Sequence, residues 1–336
     1  MPCYYPLKGW VVGHDVQTGK KIVKVTSAVD VGYPGCESFP VPCGNCLGCR
    51  LEYSKQWANR CMMEAQYHGR SCFVTLTYAD SHIPQRFYNI RGHCCSVPAL
   101  SLCKRDLQLF FKRLRKAHPQ SHIRYFGCGE YGPTTLRPHY HIILFGIDFD
   151  DKVLYRKSKT GNDMFTSADL DRCWSFPALR GELVGSGPSV AGLATVQPMT
   201  WETCAYTARY VTKKLKGPLA SFYTEHNMEP PFCCMSRRPG IGRQYYDEHP
   251  ELWDYEYINI STPDGGKKFR PPKYFMKLFE QDDPYSAEAL KDVRKAFALQ
   301  QSEVIEDLSL VPYDEYLNRE GVIKESTLIA LKRDSV

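Results

Sequence analysis

The stretch Arg137-Pro138-His139-Tyr140-His141-Ile142-Ile143-Leu144-Phe145-Gly146 carries the most chemistry in the chain. His139 and His141 stand two residues apart, with an aromatic between them and an apolar run after them. On a strand, positions i and i+2 project to the same side of the sheet. Both imidazoles therefore face one way, and Tyr140 and Ile142 face the other. Two imidazoles converging from one strand suit a divalent cation. A second stretch, Trp201 to Leu215, reads as a helix on which Tyr206 and Tyr210 lie four residues apart and share a face. Lys213, seven residues after Tyr206, and Lys214, four after Tyr210, return to that face.

A phenol is mostly protonated at neutral pH, its pKa being about 10. It becomes a nucleophile where its proton is accepted or its anion is stabilised. The ammonium groups of Lys213 and Lys214 could favour that anion or hold a phosphate. Two histidines seldom complete a metal site. Glu130 is the best third candidate, because a hairpin of 123–130 with 137–146 puts it at the hairpin mouth near His139. A set of two imidazoles and one carboxylate, with open positions, can also take phosphate oxygens. The bound ion is then a Lewis acid at phosphorus. Mg2+ or Mn2+ fits, with imidazole favouring Mn2+. Taken singly, the histidines would be ordinary strand residues and the tyrosines a packing pair. Together they suggest a metal-assisted nuclease that attacks with tyrosine.

The elements that must hold these groups follow from local pattern. Residues 50–69 read as an amphipathic helix ended by Gly69. Cys72 to Tyr78 is β-branched and aromatic, hence a strand. Ser101 looks like the cap of a basic helix running to about His118, stopped by Pro119. Ile123 to Cys128 and Arg137 to Gly146 read as strands, and Gly192 to Gln197 as a short one. Residues 147–190, rich in Gly, Ser and Asp, read as an insertion of loops. Thr200 should cap the tyrosine helix and Gly217-Pro218 should stop it. Beyond about residue 270 the chain turns helical, notably Ser286 to Leu308. The order strand, helix, strand, strand, helix, strand predicts an α+β fold. Its expected form is an antiparallel sheet of ferredoxin or RRM type, with helices packed on one face and the other face open to nucleic acid. The expected organisation is a Cys-rich N-terminal segment and helix over 1–70, a core over 71–250, and a mostly helical extension over 251–336.

With 336 residues and 43% hydrophobic content, the chain can build a substantial core. No apolar run approaches the roughly 20 residues of a membrane span. The N-terminus lacks the charged start and apolar run of a signal peptide. The expectation is a soluble, intracellular protein. The net charge of +6, from 43 basic and 37 acidic residues, is too small to indicate nucleic acid by itself. Its distribution says more. Bases gather in 104–116, 209–216 and 237–243, and acids in the last third. Arg237, Arg238 and Arg243 lie on a Gly/Pro-shaped stretch where they could clamp phosphates. Tyr245 and Tyr246 could offer stacking surfaces for unpaired bases.

The fifteen cysteines are an odd number, and a secreted disulfide framework does not fit them. Cys43, Cys46 and Cys49 form Cys-x-x-Cys-x-x-Cys, and three thiolates at this spacing could wrap one Zn2+. Cys3 or Cys36 would be the fourth ligand. Thiols of a reduced, cysteine-rich turn are the plainer alternative.

At these residues the chain resembles a known family. His139-Tyr140-His141 is similar to the His–hydrophobic–His signature of the HUH endonucleases, and Phe73-Val74-Thr75-Leu76-Thr77-Tyr78 resembles their first strand motif. Tyr206 and Tyr210 resemble the paired nucleophiles of two-tyrosine rolling-circle replication initiators. The wider pattern adds Pro42 to Arg50, Tyr206 to Leu215 and Ser236 to Arg243. It resembles the replication initiation proteins of gokushoviruses, small single-stranded DNA phages of the microvirus group.

The resemblance covers about residues 40–245 and implies a site-specific endonuclease and ligase. His139, His141 and Glu130 would hold the metal. One tyrosine would cut the origin strand and keep a 5′-phosphotyrosine link, and the other would resolve the junction after one circuit. The implied partners are single-stranded DNA at the origin and the host helicase and polymerase, in the bacterial cytoplasm. The alternative from another class is a non-catalytic single-strand-binding module on an RRM-like sheet. A relative acting in plasmid transfer or transposition is a third reading.

Overall fold

A computed structural model of the chain describes residues 3–17, 19, 21–26, 33–36, 38–90, 93–94, 97–158, 161–176, 189–211, 220–262 and 265–333. It divides into two compact units, Met1–Tyr53 with Met276–Val336, and Ser54–Phe275. The expected boundaries at 70/71 and 250/251 therefore stand beside observed ones at 53/54 and 275/276.

In the first unit β1 (Leu7–His14), β2 (Lys21–Thr26) and β3 (Ser38–Val41) form a small antiparallel sheet in the order β2-β1-β3. Helix α1 (Leu47–Ala65) follows. It stops short of Gly69, because turn bonds from Tyr67 N to Glu64 O (3.1 Å) and from His68 N to Ala65 O (3.0 Å) close its last turn.

The second unit is built on β4 (Ser71–Thr77), α2 (Lys104–Ala117), β9 (Arg124–Tyr131) and β10 (Pro138–Phe145). Between β4 and α2 lie two minimal ladders, β5 (Gln85–Arg86) with β8 (Ala99–Leu100) and β6 (Asn89–Ile90) with β7 (His93–Cys94). After β10 come β11 (Val153–Lys157), β12 (Asp163–Thr166), α3 (Ala168–Cys173), β13 (Ser175–Phe176), β14 (Ser189–Val190), β15 (Ala194–Pro198) and α4 (Trp201–Val211). Then follow α5 (Ser221–Glu225), β16 (Phe232–Met235), α6 (Arg243–Glu248), β17 (Ile258–Thr262) and β18 (Gly265–Phe269). Helix α7 (Lys273–Asp282) runs across the boundary at 275/276, and α8 (Pro284–Ser309) and α9 (Tyr313–Arg333) belong to the first unit.

The main sheet is antiparallel and seven-stranded, in the order β11-β12-β15-β4-β10-β9-β16. The chain is thus α+β, with the histidine strand β10 between β4 and β9. The segment 147–190 is more than loops. Its β11–β12 hairpin extends the sheet, and Ser167 caps α3 by accepting from Leu170 N at 3.1 Å. Its strands escaped the sequence pattern because β11 is exposed at every position and shows no apolar alternation.

Helices lie on both faces of this sheet, which element order alone did not reveal. On one face Val74, Leu76, Tyr140, Ile142 and Leu144 pack with Leu107, Phe110, Phe111 and Leu114 of α2 and with Trp174. On the other, α1 stacks Trp57 on Phe126 of β9 with ring centroids 4.5 Å apart, and α4 lies against β9 and β10. Cys204, Ala205 and Ala208 are the buried apolar side chains of α4 among those described, small enough for close approach to the sheet. The expected open face is thus partly covered.

Ser101 does not cap α2. Its hydroxyl donates to Leu102 O (3.1 Å) and accepts from Glu229 N (3.0 Å), and α2 starts after Cys103 with no side-chain cap.

Two buried polar networks fix β9 and β10. Tyr140 projects away from the histidines. Its hydroxyl donates to Cys103 O and accepts from Cys103 N, each at 2.9 Å, and meets the Tyr78 hydroxyl at 2.8 Å. Tyr78 in turn donates to Asp106 at 2.8 Å. At the start of β9, buried Arg124 donates to Glu64 of α1 and to Pro239 O (2.7 Å), and Glu64 accepts from Gly242 N (2.7 Å). Burial would raise the Glu64 carboxyl. His68, the Gly242 N–H and Arg124 outweigh burial and hold it below the usual carboxylate range.

Candidate functional site

The β9–β10 register sets His139 opposite Glu130 and His141 opposite Cys128. On the other side, β4 sets Thr77 opposite His139 and Thr75 opposite His141. Because side chains alternate, Glu130, His139 and His141 emerge on one face. The His139 Nε2 lies 2.6 Å from Glu130 Oε1, and the His141 Nε2 lies 3.3 Å from the same oxygen. One ligand atom from each residue falls within 4.8 Å of the others.

The outer nitrogens are committed elsewhere. His139 Nδ1 donates to Arg137 O at 3.1 Å, and His141 Nδ1 meets Thr75 Oγ1 at 3.0 Å. Those bonds turn both Nε2 atoms toward Glu130, the kind of outer hydrogen bonding that orients imidazole ligands on a metal. Glu130 is 4% exposed, and its Oε2 is buried with no hydrogen bond among the described residues. Burial pushes its pKa up. Bonds and charge from His139 and His141 outweigh that and hold it below the usual carboxylate range. A buried carboxylate with a spare oxygen beside two oriented nitrogens fits a divalent cation, and three ligands leave positions open for substrate.

Helix α4 begins with reciprocal capping: Thr203 N donates to Thr200 Oγ1 (3.2 Å) and Thr200 N donates to Thr203 Oγ1 (2.9 Å). The helix puts the Tyr206 ring 5.1 Å from the His141 ring, at 75° to it. Tyr206 is 40% exposed, and Phe73 lies beside both rings. A cavity of about 440 Å³ adjoins them, lined among others by Gln197, Glu202, Tyr206 and Arg209. Tyr210 lies on the same helix, one turn on, and its side chain is outside the described residues. Lys213, Lys214 and the Gly217-Pro218 stop lie outside them as well.

Thr75 and Phe73 are site residues that reasoning from spacing missed. The signal was present, since alternation in β4 puts them on one face, but only the strand register brings that face to the histidines.

The arginines separate. Arg237 and Arg238 are exposed and line a cavity of about 750 Å³ with Arg115, His118 and His122. That cavity borders the start of β9, six residues or roughly 20 Å along the strand from Glu130. Arg243 begins α6 and pairs with Asp247 at 2.7 Å. Tyr245 is buried and stacks on His249 at 4.0 Å, and Tyr246 packs on Phe275 at 5.5 Å. Neither tyrosine fits the expected stacking surface, because both face their own helix and its neighbours.

In the first unit Cys3, Cys43, Cys46 and Cys49 bring their sulfurs within 4.8 Å of one another. The fourth member is Cys3, not Cys36. Burial raises the Cys46 thiol, but the backbone N–H groups of Cys49 and Tyr4 and the neighbouring thiols bring it down to about 7.

Comparison with known proteins follows the same residues. The family model for replication-associated protein ORF2/G2P matches residues 71–215. The replication-associated protein ORF2 of Spiroplasma virus 4 is 31% identical over 345 aligned positions, covering 97% of this chain and 98% of the relative. The replication-associated protein VP4 of Bdellovibrio phage phiMH2K is 25% identical over 295 positions, 84% of this chain and 79% of the relative. The replication-associated protein ORF4 of Chlamydia phage 1 is 28% identical over 184 positions, 53% and 39% respectively. No solved structure matches. No helix among the described residues is long and apolar enough to cross a membrane.

Proposed function

Because the chain belongs to the family of phage replication-associated proteins of the ORF2/G2P type, we propose that it initiates DNA replication of a small phage by cutting one strand at the origin. In this reading it is an HUH-type endonuclease and strand-transferase. The observation that carries the reading is the convergence of Glu130, His139 and His141 beside the ring of Tyr206.

The His–His–carboxylate set would hold Mn2+ or Mg2+, which supplies Lewis-acid polarisation of the scissile phosphate when bound. One of Tyr206 and Tyr210 supplies the attacking phenol oxygen. Attack joins that oxygen to phosphorus and breaks the P–O3′ bond, so the new 5′-phosphate end stays on the protein and the departing 3′-oxygen takes up a proton as the 3′-hydroxyl that primes synthesis. The other tyrosine supplies the second phenol for the closing transfer. Lys213 and Lys214, on the same segment, would favour phenolate formation by charge. Arg237 and Arg238 would contact phosphates of the flanking DNA, and Arg243, tied to Asp247, would support them. The partners are origin single-stranded DNA and the host helicase and polymerase, in the host cytoplasm. The thiol set Cys3, Cys43, Cys46 and Cys49 would take Zn2+ in a purely structural role, since four sulfurs leave no open position.

The non-catalytic, RRM-like reading needs aromatics exposed on the sheet for base stacking. Phe73, Phe126 and Phe145, the aromatics of β4, β9 and β10 on the histidine face, are 3%, 0% and 0% exposed, which argues against it.

The test is nicking of origin oligonucleotides by wild type, Tyr206→Phe, Tyr210→Phe and the double variant, with Mn2+ titrated. Cleavage should require the ion, and the covalent protein–DNA adduct should map to Tyr206 or Tyr210. Full cleavage by the double variant would overturn the reading.

A further inference from the structure

Helix α9 is exposed at most of its described side chains, residues 313–327. Its one fully buried side chain among those described is Leu317, 5% exposed. One turn further on stands Gly321. A Cβ there would come within 2.8 Å of the Tyr4 Cβ and 2.9 Å of the Tyr5 hydroxyl. A glycine inside a helix costs about 1 kcal/mol relative to alanine. Here it lets α9 lie directly on Tyr4 and Tyr5. These two residues follow Cys3 without a gap, and Tyr4, 1% exposed, packs with Cys46 and Leu47. The surface that receives α9 is therefore the segment that the thiol cluster holds.

The cluster has the features of a metal clip. Tetrahedral zinc with arms of about 2.3 Å sets its sulfurs about 3.8 Å apart. The Cys3 and Cys46 sulfurs are 3.9 Å apart, and all four thiols are free of disulfides. Backbone N–H groups point at the sulfurs: Cys43 N to Cys3 Sγ at 3.3 Å, Cys46 N to Cys43 Sγ at 3.3 Å and Cys49 N to Cys46 Sγ at 3.4 Å. Such donors stabilise thiolate ligands. Gly44, at φ +74°, makes the tight turn after Cys43. Cys3 is forty residues from Cys43 in sequence, so the cluster ties the start of the chain to the Cys43–Cys49 turn.

We infer that zinc in the Cys3–Cys43–Cys46–Cys49 cluster fastens the N-terminal segment in the position on which α9 docks, so that metal occupancy decides whether the C-terminal helix is packed or released. This rests on the zinc assignment made above and is independent of the nuclease chemistry. None of its tests reads DNA cleavage.

The experiment uses the full chain purified without chelator. Elemental analysis should find about one zinc per chain. Limited proteolysis, with cut sites mapped by mass spectrometry, should leave residues 313–333 protected. Stripping the zinc should speed cleavage there by about tenfold or more, and added Zn2+ should restore protection. Gly321→Leu should keep its zinc and lose the protection. Zinc well below one equivalent, with all four thiols reactive, overturns the metal site. Full zinc with cleavage unchanged by stripping overturns the coupling to α9.

Discussion

Two of the candidate metal sites among the described residues, the thiol cluster and the histidine–glutamate centre, are built on opposite plans. The thiol cluster takes three of its four ligands from seven consecutive residues, Cys43 to Cys49, and closes with four sulfurs. The histidine–glutamate centre takes two ligands from β10 and one from β9, and its partner Thr75 from β4. It stops at three ligands. A local, closed set suits structure, and a set assembled across strands with positions left open suits chemistry. Neither plan follows from ligand type alone. What differs is how many separate pieces of backbone must agree before the site exists.

That contrast can be broken most forcefully at the open centre. Glu130→Gln or His139→Ala should slow oligonucleotide nicking by about 10³-fold or more, roughly 4 kcal/mol on the barrier, with little change in Tm. Cys49→Ser should do the reverse, lowering zinc content and Tm while sparing the rate per folded molecule. If a folded, zinc-free Cys49→Ser protein fails to cut, the division of labour is wrong.

A slightly smaller effect should come from the frame. Glu64→Gln leaves Arg124 buried without its carboxylate and should cost about 3–5 kcal/mol in urea unfolding. The same group makes a pH prediction. Its folded pKa is depressed, so its contribution is present above the unfolded value, about 4.3, and is lost as pH falls through the lower folded value. Wild type should therefore lose stability on acidification below about pH 4.5 more steeply than Glu64→Gln. Parallel curves would remove Glu64 from the account.

Smallest is Thr75→Val, which keeps the strand but removes the oxygen that orients His141. Mn2+ affinity, measured calorimetrically, should fall about 10- to 100-fold. An unchanged affinity would mean that packing against Phe73 suffices to hold the ring.

The same contrast explains what could be read from the sequence. The Cys-x-x-Cys-x-x-Cys spacing and the His-x-His alternation are local, and both were visible. Glu130 was reachable because a hairpin is the simplest link between two neighbouring strands. Thr75 was not, because β4 and β10 are separated by more than sixty residues and only their register joins them. The β11–β12 hairpin was missed because a strand exposed on both sides has no apolar rhythm. Ser101 failed as a cap because Glu229, distant in sequence, claims its hydroxyl. The covered histidine face escaped notice because element order fixes neighbours in the chain and not the side of a sheet on which a helix lands.

The buried hydroxyl of Tyr140, between two histidines that face the opposite way, limits how this hairpin can change over time. Odd and even positions of β10 serve different masters. Inserting one residue within the strand would send both imidazoles into the packed interior and bring a phenol out in their place. Two inserted residues would restore the parity. The turn residues 133–136 lie outside this parity, but the strand itself should tolerate insertions only in pairs.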